Sequence, residues 1–118
     1  MKDFERELCD DILIEKVNLI RATLLEASIM KQRLLENIQL NNKNIIVDLS
    51  SCTFIDSTFL GALVVSMKKA RATGGDIRIV IASSSAIGEL LNITGFLRVF
   101  EKYTSIEDAI KSFRSNSK

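Results

Sequence analysis

Apolar positions along this chain alternate between two periods, and the changes of period divide it into strands and helices. Ile12, Leu13, Ile14 and Val17 form a β-branched run, bounded by Asp10-Asp11 before and Asn18 after, which predicts a strand over 12–17. The charged stretch at 3–9 is open between pairing beside that strand and forming a short helix. From about residue 23 to 40 the spacing lengthens. Leu24, Ala27, Met30 (or Ile29), Leu34 and Ile38 share one helical face, with Glu26, Lys31, Arg33 and Glu36 between them. Asn41-Asn42-Lys43-Asn44 is turn chemistry, and Ile45-Ile46-Val47-Asp48-Leu49 reads as a strand buried on both faces. A connector over 50–55 leads to Asp56-Ser57 and a helix of roughly 16 residues. Its inner stripe is Leu60, Leu63, Val64, Met67 and Ala70, and Lys68, Lys69 and Arg71 complement the dipole near its end. Gly74-Gly75 stops it. Residues 76–82 predict another buried strand. Ser83-Ser84-Ser85 caps a helix reaching about Asn92, closed by Thr94-Gly95, and 98–101 predicts a short edge strand. Thr104-Ser105 with Glu107-Asp108 has capping-box spacing for a last helix to about Arg114.

Alternation of this kind implies one α/β domain with a mostly parallel sheet and right-handed crossovers. The sheet has four strands, or five if residues 3–9 pair, and about four helices flank it. The 118 residues fit a single domain over 1–118, with 1–10 of open structure and 115–118 a frayed tail.

Composition narrows the function. Sixteen basic residues against fifteen acidic ones leave a formal charge of +1, which gives no electrostatic reason to expect nucleic acid. No apolar run approaches the roughly 18 residues that insert in a bilayer, and acids stand near the N-terminus where a secretory signal would be apolar. Two cysteines, Cys9 and Cys52, form no disulfide framework, so a reduced, cytoplasmic setting is expected. The chain has no histidine, which removes the commonest general base, zinc ligand and nucleophile partner. Cys52, between Ser51 and Thr53, reads as a packed thiol. No phosphate-cradling glycine loop occurs. No enzyme, metal or cofactor is expected.

Phe54-Ile55-Asp56-Ser57-Thr58-Phe59-Leu60-Gly61 lies where a buried strand runs into a helix, the place where open α/β sheets concentrate function. Ser57, at or beside the N-cap, stands where the helix dipole stabilises negative charge. A phosphate there would alter the surface without melting the fold. Taken alone, Asp-Ser-Thr at such a junction is as compatible with simple capping. Gly61, one turn in, permits close approach of a neighbouring element.

From Ile45 to Leu63 the chain resembles the signature of STAS domains, the anti-sigma factor antagonist family: an apolar strand, Asp48-Leu49, a short loop, then Asp56-Ser57-Thr58 opening a helix. Gly74-Gly75 before a strand, the serine-rich turn, Leu90-Leu91-Asn92-Ile93-Thr94-Gly95-Phe96 and a final helix after Tyr103 follow in the family's order. The resemblance covers roughly residues 12 to 114 and implies a four-stranded sheet flanked by helices. It also implies a phosphoswitch at Ser57, with Asp56 beside it and Thr58 a lesser acceptor. In that family an anti-sigma factor of histidine-kinase-like ATPase fold phosphorylates the serine, a PP2C-type phosphatase reverses the step, and the unphosphorylated form binds the anti-sigma factor and frees the sigma factor. A monomer or weak dimer is expected. Two positions depart from the pattern. Phe59 replaces a glycine, and either packs in the core or presents an aromatic anchor to the partner. Arg21 stands where an Asp is usual, and either pairs with a phosphate on Ser57 or is a solvated residue at a helix start. Constitutive scaffolds and transporter-attached modules also use such domains, and a small-nucleotide binder or hydrolase, resting on the helix N-terminus alone, is a third reading.

Overall fold

A computed structural model describes residues 2–83, 86–95 and 100–115. Along the chain run β1 (Phe4–Cys9), β2 (Ile12–Val17), β3 (Arg21–Ala22), α1 (Leu24–Gln39), β4 (Asn44–Asp48), β5 (Phe54–Ile55), α2 (Ser57–Ala72), β6 (Asp76–Val80), α3 (Ala86–Thr94), β7 (Lys102–Tyr103) and α4 (Ile106–Ser115). The main sheet has five strands in the order β1-β2-β4-β6-β7. It is mixed: β1 pairs antiparallel with β2, and the remaining pairs are parallel.

The ambiguous segment 3–9 is therefore a strand. A tight turn at Asp10-Asp11 returns the chain, with Asp10 at φ 55, a left-handed conformation that a short polar side chain tolerates. Residues 50–55, expected as a connector only, contain β5, which pairs in parallel with β3 in a separate small ladder. The edge strand expected at 98–101 lies partly outside the described residues. The observed last strand is β7, which pairs with β6. Ser84 and Ser85 of the expected cap, and residues 116–118 of the tail, also lie outside them. Ser105 accepts from the Asp108 backbone N–H at 3.1 Å, as the capping pattern predicts.

Strand alternation sorts side chains to two faces. Leu13, Ile45, Val47, Ile77 and Ile79 face α1, α2 and α3 in the larger core, while Ile12, Ile14, Ile46 and Val80 pack with Ala109 and Phe113 of α4 on the reverse. The inner stripe of α2 is buried as expected. That of α1 holds at Ala27, Met30 and Leu34, which are buried with Asn37, and at Ile38, which packs partly buried against the core; Leu24, the first helical residue, is exposed.

Both long helices end in the same hydrogen-bonded reversal. Asn42 N bonds Asn37 O after α1, and Gly75 N bonds Ala70 O after α2, with Asn41 (φ 70) and Gly74 (φ 89) supplying the left-handed residue. Gly75 has a second constraint. A Cβ there would lie 2.2 Å from the Lys43 carbonyl oxygen, so backbone meets backbone at this corner.

Among the described residues one charge is wholly buried. Glu15 projects from β2 beneath α1, where Arg6 Nε (2.7 Å), Arg33 Nε (2.8 Å) and Asn37 Nδ2 (2.7 Å) all donate to its carboxylate.

Candidate functional site

Asp56 follows β5 with extended backbone (φ −95, ψ 175) and is the N-cap of α2. One carboxylate oxygen accepts from the Phe59 N–H at 2.8 Å, as an N-cap should. Its other oxygen accepts from the Leu24 N–H, also at 2.8 Å, which belongs to the first residue of α1. Thr23 caps α1, and Glu26 reaches back to the Thr23 N–H at 2.8 Å in a capping box. Two helix N-termini thus converge on one carboxylate. The β3–β5 ladder brings them together: Ala22 lies opposite Ile55, and the Asp56 N–H bonds Ala22 O.

Ser57 is the first helical residue of α2 and is exposed; Thr58 follows and is also exposed. Their hydroxyls stand at the positive end of the helix dipole. Gly61 lies one turn along. A Cβ at Gly61 meets nothing within 4 Å, so the close approach expected from this residue does not occur within the chain. Gly61 instead lines an open groove of about 310 Å³ between α1 and α2, with Leu24, Ala27, Lys31, Thr58 and Val65.

Phe59 takes the first of the two places open to it. Its side chain is fully buried among the core residues, so it presents no aromatic anchor to a partner. The helical period explains this, since Phe59 shares a face with Leu63, Met67 and Ala70. Among the described residues Phe54 is an exposed aromatic, and with Ile55, Ile87, Leu90 and Ile93 it lines a second groove, of about 230 Å³, between β5 and α3. Arg21 is not at a helix start. It is an exposed residue of β3, with its guanidinium 4.2 Å from the centroid of the Phe54 ring. The capping pattern Thr23-x-x-Glu26 is legible in the sequence, whereas the Arg21–Phe54 stack and the double use of Asp56 depend on pairing between distant segments.

Cys52 is buried, with its thiol 3.9 Å from the Val17 carbonyl oxygen. Burial is the main reason that its pKa is pushed from 9.0 up to about 11; a backbone hydrogen bond from Leu19 opposes the rise and Asp48 adds to it. It is not an activated nucleophile. Native protein at pH 8 should therefore be alkylated by iodoacetamide at half-buried Cys9 well before Cys52, as peptide mass spectrometry would show. Because folding raises the Cys52 pKa, its contribution to stability is complete below pH 9.0 and is lost as pH rises toward about 11.

Among the described residues no group of three His, Cys, Asp or Glu could hold a metal ion, and no helix is long and apolar enough to cross a membrane.

Several solved structures share this fold. A chain assigned as an anti-sigma factor antagonist from Thermotoga maritima superposes with a TM-score of 0.85 at 24% identity, covering 94% of each chain. The anti-sigma factor antagonist SpoIIAA in its unphosphorylated form gives 0.70 at 14% identity, covering 97% of this chain and 99% of that one. The murine solute carrier 26 family member A9 anion transporter gives 0.76 at 16% identity, covering 93% of this chain and 19% of the transporter. The STAS domain family matches residues 12–109. With that match spanning most of its length, and with this sheet order and strand-to-helix junction, the chain belongs to the STAS domain family.

Proposed function

We propose that this STAS domain is a non-enzymatic binding module switched by phosphorylation at Ser57. Unmodified, it binds an anti-sigma factor of histidine-kinase-like ATPase fold, and a sigma factor is released. Phosphorylation by that kinase ends the binding, and a PP2C-type phosphatase restores it. The module works in the cytoplasm as a monomer or weak dimer.

The observation that carries this reading is the exposed Ser57 at the first position of α2. A phosphate adds roughly −1.5 to −2 charge, and at a helix N-terminus that charge is favoured. The surroundings suit a protein partner. Ile20, Leu24, Leu25, Phe54, Val65 and Ile93 are all exposed, and all lie on or beside the β3–β5 ladder and the two grooves that flank Ser57. Thr58 and Gly61 form the partner-facing edge of α2, and Asp56 holds that edge in place. SpoIIAA has been solved in both unphosphorylated and phosphorylated forms, and both superpose on this chain.

Incubation with ATP and a candidate kinase, followed by mass spectrometry, should place one phosphate on Ser57. Ser57→Ala should still bind the kinase, and Ser57→Asp should not. A phosphate confined to another residue, or undiminished binding by Ser57→Asp, would sink the proposal.

The superposition on a domain that makes up 19% of an anion transporter favours a second reading, a constitutive scaffold. Equal partner binding by Ser57→Ala and Ser57→Asp would support it.

A further inference from the structure

A dianion on Ser57 would not stand among cations alone. The Asp56 carboxylate precedes it, and Glu26 lies in the first turn of α1, whose N-terminus converges on the same point. Two of the converging N–H groups, those of Phe59 and Leu24, are already bonded to Asp56. The phosphate therefore needs a cation to offset like charge. Two are near. Lys31 lies on α1 along the groove that Thr58 also lines. Arg21 lies on β3, in register with Phe54, one residue before the rung Ala22–Ile55; Ser57 is two residues after that rung.

Ion pairs among the described residues use Arg6, Lys16, Arg33, Arg71, Arg78 and Arg114 as cations, and none uses Arg21 or Lys31. Arg21 is instead held by the Phe54 ring, with its charge uncompensated. An exposed cation–π stack is a weak hold. A guanidinium that meets a phosphate forms two charge-assisted hydrogen bonds in a matched fork, and that hold is stronger. The β3–β5 ladder holds the Arg21 backbone and α2 holds that of Ser57, so the move is one of the Arg21 side chain.

We propose that Arg21 reads the phosphate on Ser57: on modification its guanidinium leaves the Phe54 ring and pairs with the phosphate. This rests on the reading of Ser57 as the phosphoacceptor and adds a consequence to it. The pairing takes part of the new charge back into the chain, and it bares the Phe54 face that Arg21 covered, on a ring that also lines the groove with Ile55, Ile87, Leu90 and Ile93. The two forms of the domain then differ in apolar surface as well as in charge.

Phosphoserine installed genetically at position 57 makes the test independent of any kinase. In a ³¹P titration the phosphate should ionise a second time about one pH unit lower with Arg21 present than in Arg21→Gln. Arg21→Lys, a point charge without the fork, should fall between them. Asp56 and Glu26 push this ionisation up, while Lys31 and the helix N-terminus pull it down; all are unchanged across the Arg21 series, and Lys31→Gln gauges the lysine separately. In proton spectra the Arg21 δ-methylene, shifted upfield by the Phe54 ring in the unmodified protein, should move back toward its ordinary position on modification. The proposal is overturned if the phosphate titrates at the same pH in wild type and Arg21→Gln, or if the δ-methylene keeps its ring shift. Failure of every kinase to modify Ser57 would bear on the switch alone, since the titration decides the Arg21 contact without one.

Discussion

Removing both guanidiniums that hold Glu15, in the variant Arg6→Ala/Arg33→Ala, should lower the unfolding free energy by about 3–5 kcal/mol. The carboxylate is fully buried in β2 under α1, and its hydrogen bonds come from Arg6, Arg33 and Asn37 alone among the described residues. Taking an ion of this size out of water costs several kcal/mol, and one amide from Asn37 does not offset that. Both arginines are partly exposed, so they lose little on release, whereas Glu15 has nowhere to turn. Arg33 also lies 5.7 Å from the Phe4 ring centroid, so its single variant should cost more than that of Arg6. A sign reversal isolates the charge. Glu15→Gln should destabilise the wild type, where it weakens two charge-assisted bonds, and should stabilise the double variant, where it removes a stranded anion and keeps an acceptor for Asn37. Urea unfolding at pH 7 with a constant m-value reads both effects. Equal changes in the two backgrounds would show that Glu15 is held by packing and not by its cations.

This cluster marks a limit of reading the chain by pattern. Glu15 interrupts an apolar run, and nothing local distinguishes a buried carboxylate from a strand-edge one; Arg6 comes from β1, and Arg33 and Asn37 come from α1. Elements whose logic is local were legible. The strand at 12–17, the inner stripe of α2, the turn at Gly74-Gly75 and the capping of α4 by Ser105 all follow from periodicity and capping rules. Segment 3–9 was not, because Phe4-Glu5-Arg6-Glu7 has one apolar residue followed by three charged ones, too few to separate strand from helix. The two-residue strands β3 and β5 are shorter than any period and exist only through each other. The same division runs through the candidate site. Ser57 at the start of a helix is written in Asp56-Ser57-Thr58, and the burial of Phe59 is written in its spacing to Leu63 and Met67. The Arg21–Phe54 stack needs the β3–β5 register.

Asp56→Ala should cost about 2 kcal/mol, roughly twice an ordinary capping residue. The reason is the shared carboxylate: one oxygen satisfies the third N–H of α2 at Phe59, and the other satisfies the first N–H of α1 at Leu24, both at 2.8 Å. Alanine strands both donors. Asparagine keeps one acceptor and turns its amide toward the other N–H, so Asp56→Asn should lose about 1 kcal/mol. Hydrogen exchange separates this from a general loss of stability, because the Leu24 and Phe59 amides should lose protection beyond what the global change accounts for. Ser57→Ala removes only an exposed hydroxyl and should stay within about 0.5 kcal/mol of wild type. The contrast matters for function. If Asp56 ties α1 to α2, both flanking grooves are held in a fixed relation to Ser57 by this one side chain, and Asp56→Ala should weaken partner binding even with Ser57 intact and unmodified. A cost confined to α2, with the Leu24 amide unaffected, would show that the second bond contributes nothing and that the two helices are aligned by their packing alone.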